Sequence, residues 1–413
     1  MGGVGSKPCL GDQELKLTMT QFPVIPDSEF QLRKENIQKL MQAHSIDLLF
    51  FYGDDRAVFG ANHTRWLTNY AAHFEPILTV VPRQGDIHSA TGAESETFYH
   101  NTAKIGSIHV VNEFNMPEEE YPYTKPISFK AFLDILLQEA STPNARIGFV
   151  GENAFPHWLA ELINSFAFSK ISMDKFELDY RMFRASKSAT EIAVLKYGFE
   201  IAEAGLKAGI DALAIGVSER EIAAEIEYTM RKMGSEGSGI DTIVGFGKAN
   251  TFPILTRTTM NKLKVGDLAL LTVAPRYEGY HGVIARPVSM GPAPKEVRFA
   301  IDSAIAASAA SEAQLKVGAI GADISGAGLD VLRKAGLIDL CVYSGIHSIG
   351  TSEFEPPILT SVSNFVLPNN SFLSIDVPLF MAPWGGFRIE TGFLVSDIGN
   401  VRFSKTPPTY IEK

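Results

Sequence analysis

The most restrictive feature of this 413-residue sequence is that its second half states one pattern twice. "SKSATEIAVLKYGFEIAEAGLKAGIDAL" has the apolar spacing of a long helix, and Ser188 followed by Glu191 forms a capping box at its start. "AIG" (residues 214–216) leads into a second helix, where Ser218 caps, Glu221 reaches back, and Ile222, Ile226 and Met230 share one face before Gly234. Further along, "FAIDSAIAASAASEAQLKVGAIGADISGAGLDVLRKAG" repeats the order: an Ala-rich helix, "AIG" (residues 319–321), then a helix ending in R-K-x-G. Strand-rich sequence follows each pair, "DLALLTVAPRYEGYHGVIARPVSMG" after the first and "FLSIDVPLFM" with "GGFRIETGFLVSD" after the second. Residues 180–405 therefore read as an internal duplication, and a ligand site is expected where the halves meet.

A chain of this length is too long for one ordinary core, so a second domain is expected ahead of the duplication. Residues 22–179 alternate helical and strand-like runs: "SEFQLRKENIQKLMQAHSI" has helical spacing, while "DLLFFYG", "PILTVVPRQG" and "ARIGFVGEN" read as strands. The expected architecture is α/β (α+β): a tail over 1–20, an N-terminal α/β domain with a mixed sheet over 21–178, and the duplicated domain over 179–413. The Gly-rich tail carries "MGGVGS", which satisfies a short N-myristoylation pattern and equally suits an unstructured start ahead of Met19.

Composition narrows the partners. A formal net charge of -10 with no Lys/Arg cluster argues against nucleic acid or an anionic membrane surface, leaving small molecules or peptides. Two cysteines, Cys9 and Cys341, without CxxC or CxxH spacing, offer neither a disulfide framework nor a thiolate metal site. No apolar run approaches the roughly 20 residues that span a bilayer, and a cytoplasmic protein is expected.

Only two of the nine histidines, His281 and His347, fall in the duplicated region. His347 sits in the Gly-flanked "GIHSIG", ahead of "TSEFEPPIL". Asp376 and Glu390 lie inside apolar strand-like runs, "LSIDVPL" and "FRIETGF", where a carboxylate is costly unless paired or ligated. A lone buried histidine is commonly a satisfied core residue, and a buried carboxylate is also found in structural ion pairs; their convergence is what would carry chemistry.

The run from "FRASKSATEI" to "VRFSKTPP" resembles the pita-bread domain of methionine aminopeptidase, aminopeptidase P, prolidase and creatinase. "RASKSATEI" is similar to that family's R-x-x-K-S-x-x-E helix start. "VGDLALLTVAPRYEGYHGVIARPV" is similar to its metal-binding hairpin, and "IHSIGTSEFEPP" to its G-H-G-x-G-x-x-x-H-E-x-P segment. The resemblance places the five metal-ligand positions on Thr272, Val283, His347, Asp376 and Glu390; its second histidine falls on Phe354 and a further peptidase histidine on Ile254. Two bridged metal ions need the hairpin carboxylates, and Thr272 and Val283 supply none. Creatinase resembles this chain in having non-ligating residues at both hairpin positions and a His-Ser-x-Gly-Thr run like residues 347–351. Creatinase also uses a histidine near Ile254 and a partner-subunit arginine near Glu75, so creatine itself is disfavoured.

The leading expectation is therefore a metal-independent, creatinase-like hydrolase cleaving a C–N or related bond of a small polar nitrogen compound, acting as a homodimer. His347, Asp376 and Glu390 would be the acid–base residues. Thr272, His281, Val283, Phe354, Glu355 and Arg388 would contact substrate, and Phe74, in the "NHTRWLTNYAAHF" segment, would do so from a partner subunit, with His63, Arg65 and His73 of that segment as alternatives. Arg286 and Arg388 match arginines that brace carboxylates. No cofactor is required, but a second reading keeps a single divalent metal on His347, Asp376 and Glu390, with His281 as a fourth ligand, in an Xaa-Pro peptidase-like hydrolase or a lyase. A third is a catalytically inactive binding module.

Overall fold

The computed structural model describes residues 22–56, 58–115, 119–140, 144–166 and 168–413. The tail, with its "MGGVGS" pattern and Cys9, lies outside them. The helix Asp27–Ala43 precedes a six-stranded sheet built from β1 (Leu48–Gly53), β2 (Ile77–Pro82), β3 (His88–Thr91), β4 (Ser107–Val110), β5 (Arg146–Val150) and β6 (Ser169–Lys170). Its order is β4-β3-β2-β1-β5-β6, antiparallel between β1 and β2 and parallel between β1 and β5, the mixed sheet read from the sequence. β1 and β2 are apolar and buried almost throughout because helices cover both faces.

The remaining strands are β7 (Gly237–Ser238), β8 (Ile243–Phe246), β9 (Leu268–Val273), β10 (Pro275–Tyr277), β11 (Tyr280–His281), β12 (Ile284–Ser289), β13 (Ile346–Ser348), β14 (Glu355–Leu359), β15 (Ser371–Ala382), β16 (Gly385–Ser396), β17 (Gly399–Arg402) and β18 (Ile411–Glu412). Seven of them form the path β14-β13-β15-β16-β12-β9-β8, with β17 on β16 and β18 on β12; β11, β10 and β7 form a small separate sheet. Two helix pairs pack on the large sheet, Ala189–Ala212 with Glu219–Lys232 and Lys295–Glu312 with Gly321–Lys334. This is the duplicated arrangement expected from sequence, and both capping boxes form: Glu191 N donates to Ser188 Oγ (3.2 Å) and Glu221 N to Ser218 Oγ (3.3 Å). Each cap is worth about 1 kcal/mol.

The two halves of the chain share a core in which Phe30, Ile37, Met41 and Phe176 join one cluster with Phe199, Val273 and Ile284. Buried polar contacts fix their orientation. Arg33 donates to Tyr280 Oη (2.8 Å), whose hydroxyl donates to Glu191 Oε1 (2.6 Å), so the capping glutamate also anchors the β10–β11 turn. Arg65 reaches Glu236 (2.6 Å). His63 accepts at Nδ1 from Tyr180 Oη and Arg184 Nη1, both 3.0 Å away. Gly282, between β11 and β12, lies so close to the helix Ala189–Ala212 that an added Cβ would sit 2.4 Å from the Gly198 carbonyl carbon and oxygen.

That contact predicts that Gly282→Ala destabilises the fold by about 1–3 kcal/mol, the usual cost of overpacking against backbone. Gly326→Ala, in a helix with nothing within 4 Å of the added Cβ, should stabilise it by up to about 1 kcal/mol; denaturant midpoints compare the two, and equal effects would contradict the packing argument.

His63 gives a pH signature. Burial and the Arg184 charge push its pKa down from 6.5 to about 3, so the folded state holds a neutral ring. Its contribution is complete above pH 6.5 and falls by about 1.4 kcal/mol per pH unit as the unfolded chain takes up a proton below that value. Between pH 7 and 5 wild type should lose about 2 kcal/mol more than His63→Gln, which can accept from Arg184 without titrating; parallel stability curves for the two would refute the assignment.

Candidate functional site

Across an antiparallel sheet, directly paired residues face the same side. The register pairs His347 with Ser374, Asp376 with Glu390, Glu390 with Ala285, Ala285 with Thr272, and Thr272 with Ile243. One face of the large sheet therefore carries His347, Ser374, Asp376, Glu390 and Thr272 in a row crossing β13, β15, β16, β12 and β9. The helix pairs occupy the other face, where Gly205 packs on Val273 and Gly209 on Leu271.

His347 is buried, with Nδ1 donating to Ser348 O (3.1 Å) and Nε2 3.7 Å from Glu390 Oε1. Glu390 also accepts from Ser374 Oγ (2.7 Å). A third carboxylate, Glu353, completes the group: ligand atoms of His347, Glu353 and Glu390 all lie within 4.8 Å of one another. Asp376, expected among the ligands, is held differently. Its Oδ2 accepts from Tyr343 Oη (2.5 Å) and lies 3.8 Å from Arg388 Nε, while Oδ1 is buried without a hydrogen-bond partner. The Arg388 guanidinium lies over the Phe380 and Tyr343 rings, 5.5 and 5.9 Å from their centroids.

Burial opposes charge on every one of these groups, and neighbours decide the outcome. It would lower the His347 pKa, but Glu390 and Glu353 overcome it and raise the value to about 9. For Glu390 burial acts upward, yet His347, Arg388 and the Ser374 hydroxyl hold the pKa below the ordinary carboxylate value. Glu353 and Asp376 are pushed up to about 7 and about 6, in both cases chiefly by burial. The cluster thus combines two cations with three carboxylates that differ in proton affinity.

The hairpin positions behave as their side chains dictate. Thr272 faces the cluster's side of the sheet with Oγ1 buried and unpartnered; Val283 is fully buried in the apolar core. The donor set fits one divalent ion, an imidazole nitrogen and two carboxylate oxygens on His347, Glu353 and Glu390. It does not fit two, because Thr272 and Val283 provide no bridging carboxylate. Ile254 joins Ile243, Leu270 and Phe380 in a small apolar cluster on the same side.

Several expected contacts fall elsewhere. His281 belongs to the small sheet opposite Arg276, because the strand breaks at Gly282 and Val283 and alternation does not carry across the break. Its Nδ1 donates to Gly350 O (3.1 Å), and burial lowers its pKa to about 4; it is not in the His347 group. Glu355 has both oxygens taken, Oε2 by Arg184 (2.6 Å) and Oε1 by Lys187 (2.7 Å). Phe354 does reach the site, its ring centroid 4.5 Å from that of His347. Phe74 is exposed on the loop before β2, away from the cluster of its own chain, as is His73. Glu75 is turned inward, accepting from Ser95 N (2.9 Å) rather than facing solvent. Arg286 lies on the opposite face from Glu390 and donates to the carbonyls of Ala285, Glu390, Thr406 and Pro407, not to a carboxylate.

Sequence reasoning missed Glu353 and Tyr343. Glu353 and Glu355 are two residues apart, and in a regular strand they would point the same way. Glu353 lies in the bend ahead of β14, which begins at Glu355, so strand alternation does not relate the two: Glu353 turns to His347 and Glu355 to Arg184. Tyr343 precedes β13 and has no motif around it.

Among the described residues no helix is long and apolar enough to cross a membrane. The family model for metallopeptidase family M24 matches residues 193–397. The chain is similar to an Xaa-Pro dipeptidase of Pyrococcus furiosus, 24% identical over 320 residues, covering 75% of this chain and 90% of that protein. Its fold is that of the X-Pro aminopeptidase of Thermotoga maritima (TM-score 0.77, 21% identity, 92% of this chain and 99% of that one) and of a prolidase from Thermococcus sibiricus (TM-score 0.79, 17% identity, 93% and 99%). The motif order, the duplicated sheet and these likenesses agree with the creatinase–aminopeptidase P–prolidase resemblance read from the sequence and support an M24-type hydrolase.

Proposed function

We propose that the protein hydrolyses a C–N bond of a small peptide-like substrate of the Xaa-Pro dipeptide class at the His347–Glu353–Glu390 cluster, with those three residues holding one divalent ion. The observation that carries the proposal is the convergence of an imidazole nitrogen and two carboxylate oxygens within 4.8 Å on the face where the family's site lies. The relatives' printed activity, Xaa-Pro dipeptidase, favours a peptide bond over the creatinase-like substrate expected at first. When bound, the ion would supply Lewis-acid polarisation of a substrate carbonyl.

The chain's own groups do the rest. Glu390 fixes the His347 ring, and Tyr343 and Arg388 hold Asp376, whose unpartnered Oδ1 would accept from a substrate N–H. Thr272 Oγ1 offers a hydrogen bond where a bridging carboxylate stands in the two-metal pattern. Phe354 forms an aromatic wall against His347. Glu355 is assigned to positioning rather than to substrate contact, and His281 to the packing of the small sheet. The reading includes a homodimer in which the exposed Phe74 loop approaches the neighbouring site, a cytoplasmic setting, and a division between residues 21–178 and 179–413.

A second reading, metal-independent acid–base hydrolysis by His347, Asp376 and Glu390, is favoured by the Thr272 and Val283 replacements. The two separate in one assay: hydrolysis of an Xaa-Pro dipeptide by protein purified without added metal, before and after chelation, with metal content measured alongside. The leading reading expects close to one ion per chain and activity lost on chelation and restored by metal. Full activity in chelated, metal-free protein would overturn it in favour of the second. Glu353→Gln should lower metal content and kcat together, by at least the ~10–100-fold that loss of even an outer-shell partner costs; full metal content with an unchanged kcat would remove Glu353 from the site.

A further inference from the structure

A cavity of about 930 Å³ lies at the seam between the six-stranded sheet and β14, within the ~300–1,000 Å³ range of small-molecule sites. It opens beside the carboxyl ends of the parallel strands β1 and β5 and reaches Phe354, the ring that packs on His347. None of the groups placed in the reaction above, other than Phe354, lines it.

The polar chemistry of its wall is biased toward donors. Nδ1 of His63 accepts from both Arg184 and Tyr180, so the neutral ring carries its proton on Nε2. That edge lies beside Gly151, where an added Cβ would stand 3.3–3.4 Å from Cδ2 and Nε2, and both residues line the cavity. Asn62 accepts at Oδ1 from Arg184 (2.8 Å) and Thr351 (2.7 Å), which leaves its amide N–H groups as the remaining capacity. Arg56 and Arg181 add guanidinium groups at the wall; each already bonds one carboxylate, Arg56 Nε that of Asp54 (2.6 Å) and Arg181 Nη2 that of Glu177 (2.7 Å), and keeps further N–H groups to donate. The lining carboxylates are already engaged, Glu355 by Arg184 and Lys187 and Glu177 by Arg181 (2.7 Å), except for Glu152, which is exposed. Phe59 and Phe354 supply apolar walls.

We infer that this cavity binds a small carboxylate-bearing molecule with an apolar or aromatic body, its carboxylate received by Asn62, the His63 Nε2–H and the Arg56 and Arg181 guanidiniums. An acceptor-only head group complements a wall rich in N–H donors, the exposed Glu152 aside, whereas an ammonium would leave donors facing donors. The depressed basicity of His63 is consistent with a fixed neutral donor there. The inference stands apart from the hydrolase reading, since binding is measured without turnover.

The test uses the full chain, with 3-phenylpropanoate and its neutral amide as probes in isothermal titration calorimetry. Saturable binding of the carboxylate, at least tenfold tighter than the amide, is expected. Arg56→Ala combined with Arg181→Ala should weaken it at least tenfold; both side chains are more than half exposed, so the fold is spared. His63→Phe should weaken it as well. Equal binding of acid and amide, unchanged affinity in the double variant, or no saturable binding at millimolar concentration would each overturn the proposal. Competition with a dipeptide substrate, raising KM alone, identifies the ligand as part of the substrate; an effect on kcat alone identifies a separate effector, and either supports the site.

Discussion

The position of the site depends on one buried ion triad, Glu355 with Arg184 and Lys187. All three side chains are nearly inaccessible, and the triad joins residues that lie far apart in sequence. Removing one partner of such a group leaves an uncompensated buried charge, at a cost of about 3–5 kcal/mol. The triad fixes the start of β14, and with it the turn that delivers Glu353 to His347 and lays Phe354 on the imidazole ring. Arg184 extends the same restraint into the N-terminal half, through Asn62, Thr351 and His63. Cluster, cavity and seam are therefore held by one set of charges.

This arrangement bears on what the loss of the hairpin carboxylates means. In the family pattern those carboxylates bridge two ions; here Thr272 and Val283 take their places, and the remaining ligands alone would leave the site short of negative charge. Glu353 restores a carboxylate from a different segment, at a position where the family motif prescribes no residue. Asp376 retains its motif position but is held by Tyr343 and Arg388, with its other carboxylate oxygen left unpartnered. The His347, Glu353 and Glu390 donor set fits one ion rather than two.

Much of the fold was legible because its signals are local. The capping boxes at Ser188 and Ser218 and the repeated "AIG" junctions depend on near neighbours in sequence, and they form as read. His347, Asp376, Glu390 and Thr272 were legible because period-two strands carry them to one face. The rest turned on register and breaks. The interruption at Gly282 and Val283 sends His281 to another sheet, and the bend that ends where β14 begins separates Glu353 from Glu355; neither leaves a compositional trace. Arg286 was assigned a carboxylate-bracing role by alignment alone, and burial gives it backbone partners instead.

The proposed site holds a single ion, with Glu353 in place of the hairpin carboxylates. The most direct test is a crystal structure of the protein soaked with manganese, with anomalous scattering recorded at the site. One anomalous peak within bonding distance of His347, Glu353 and Glu390, and none beside Thr272, is the predicted result. Two peaks, or one ion bound through Asp376 with Glu353 turned away, would contradict it.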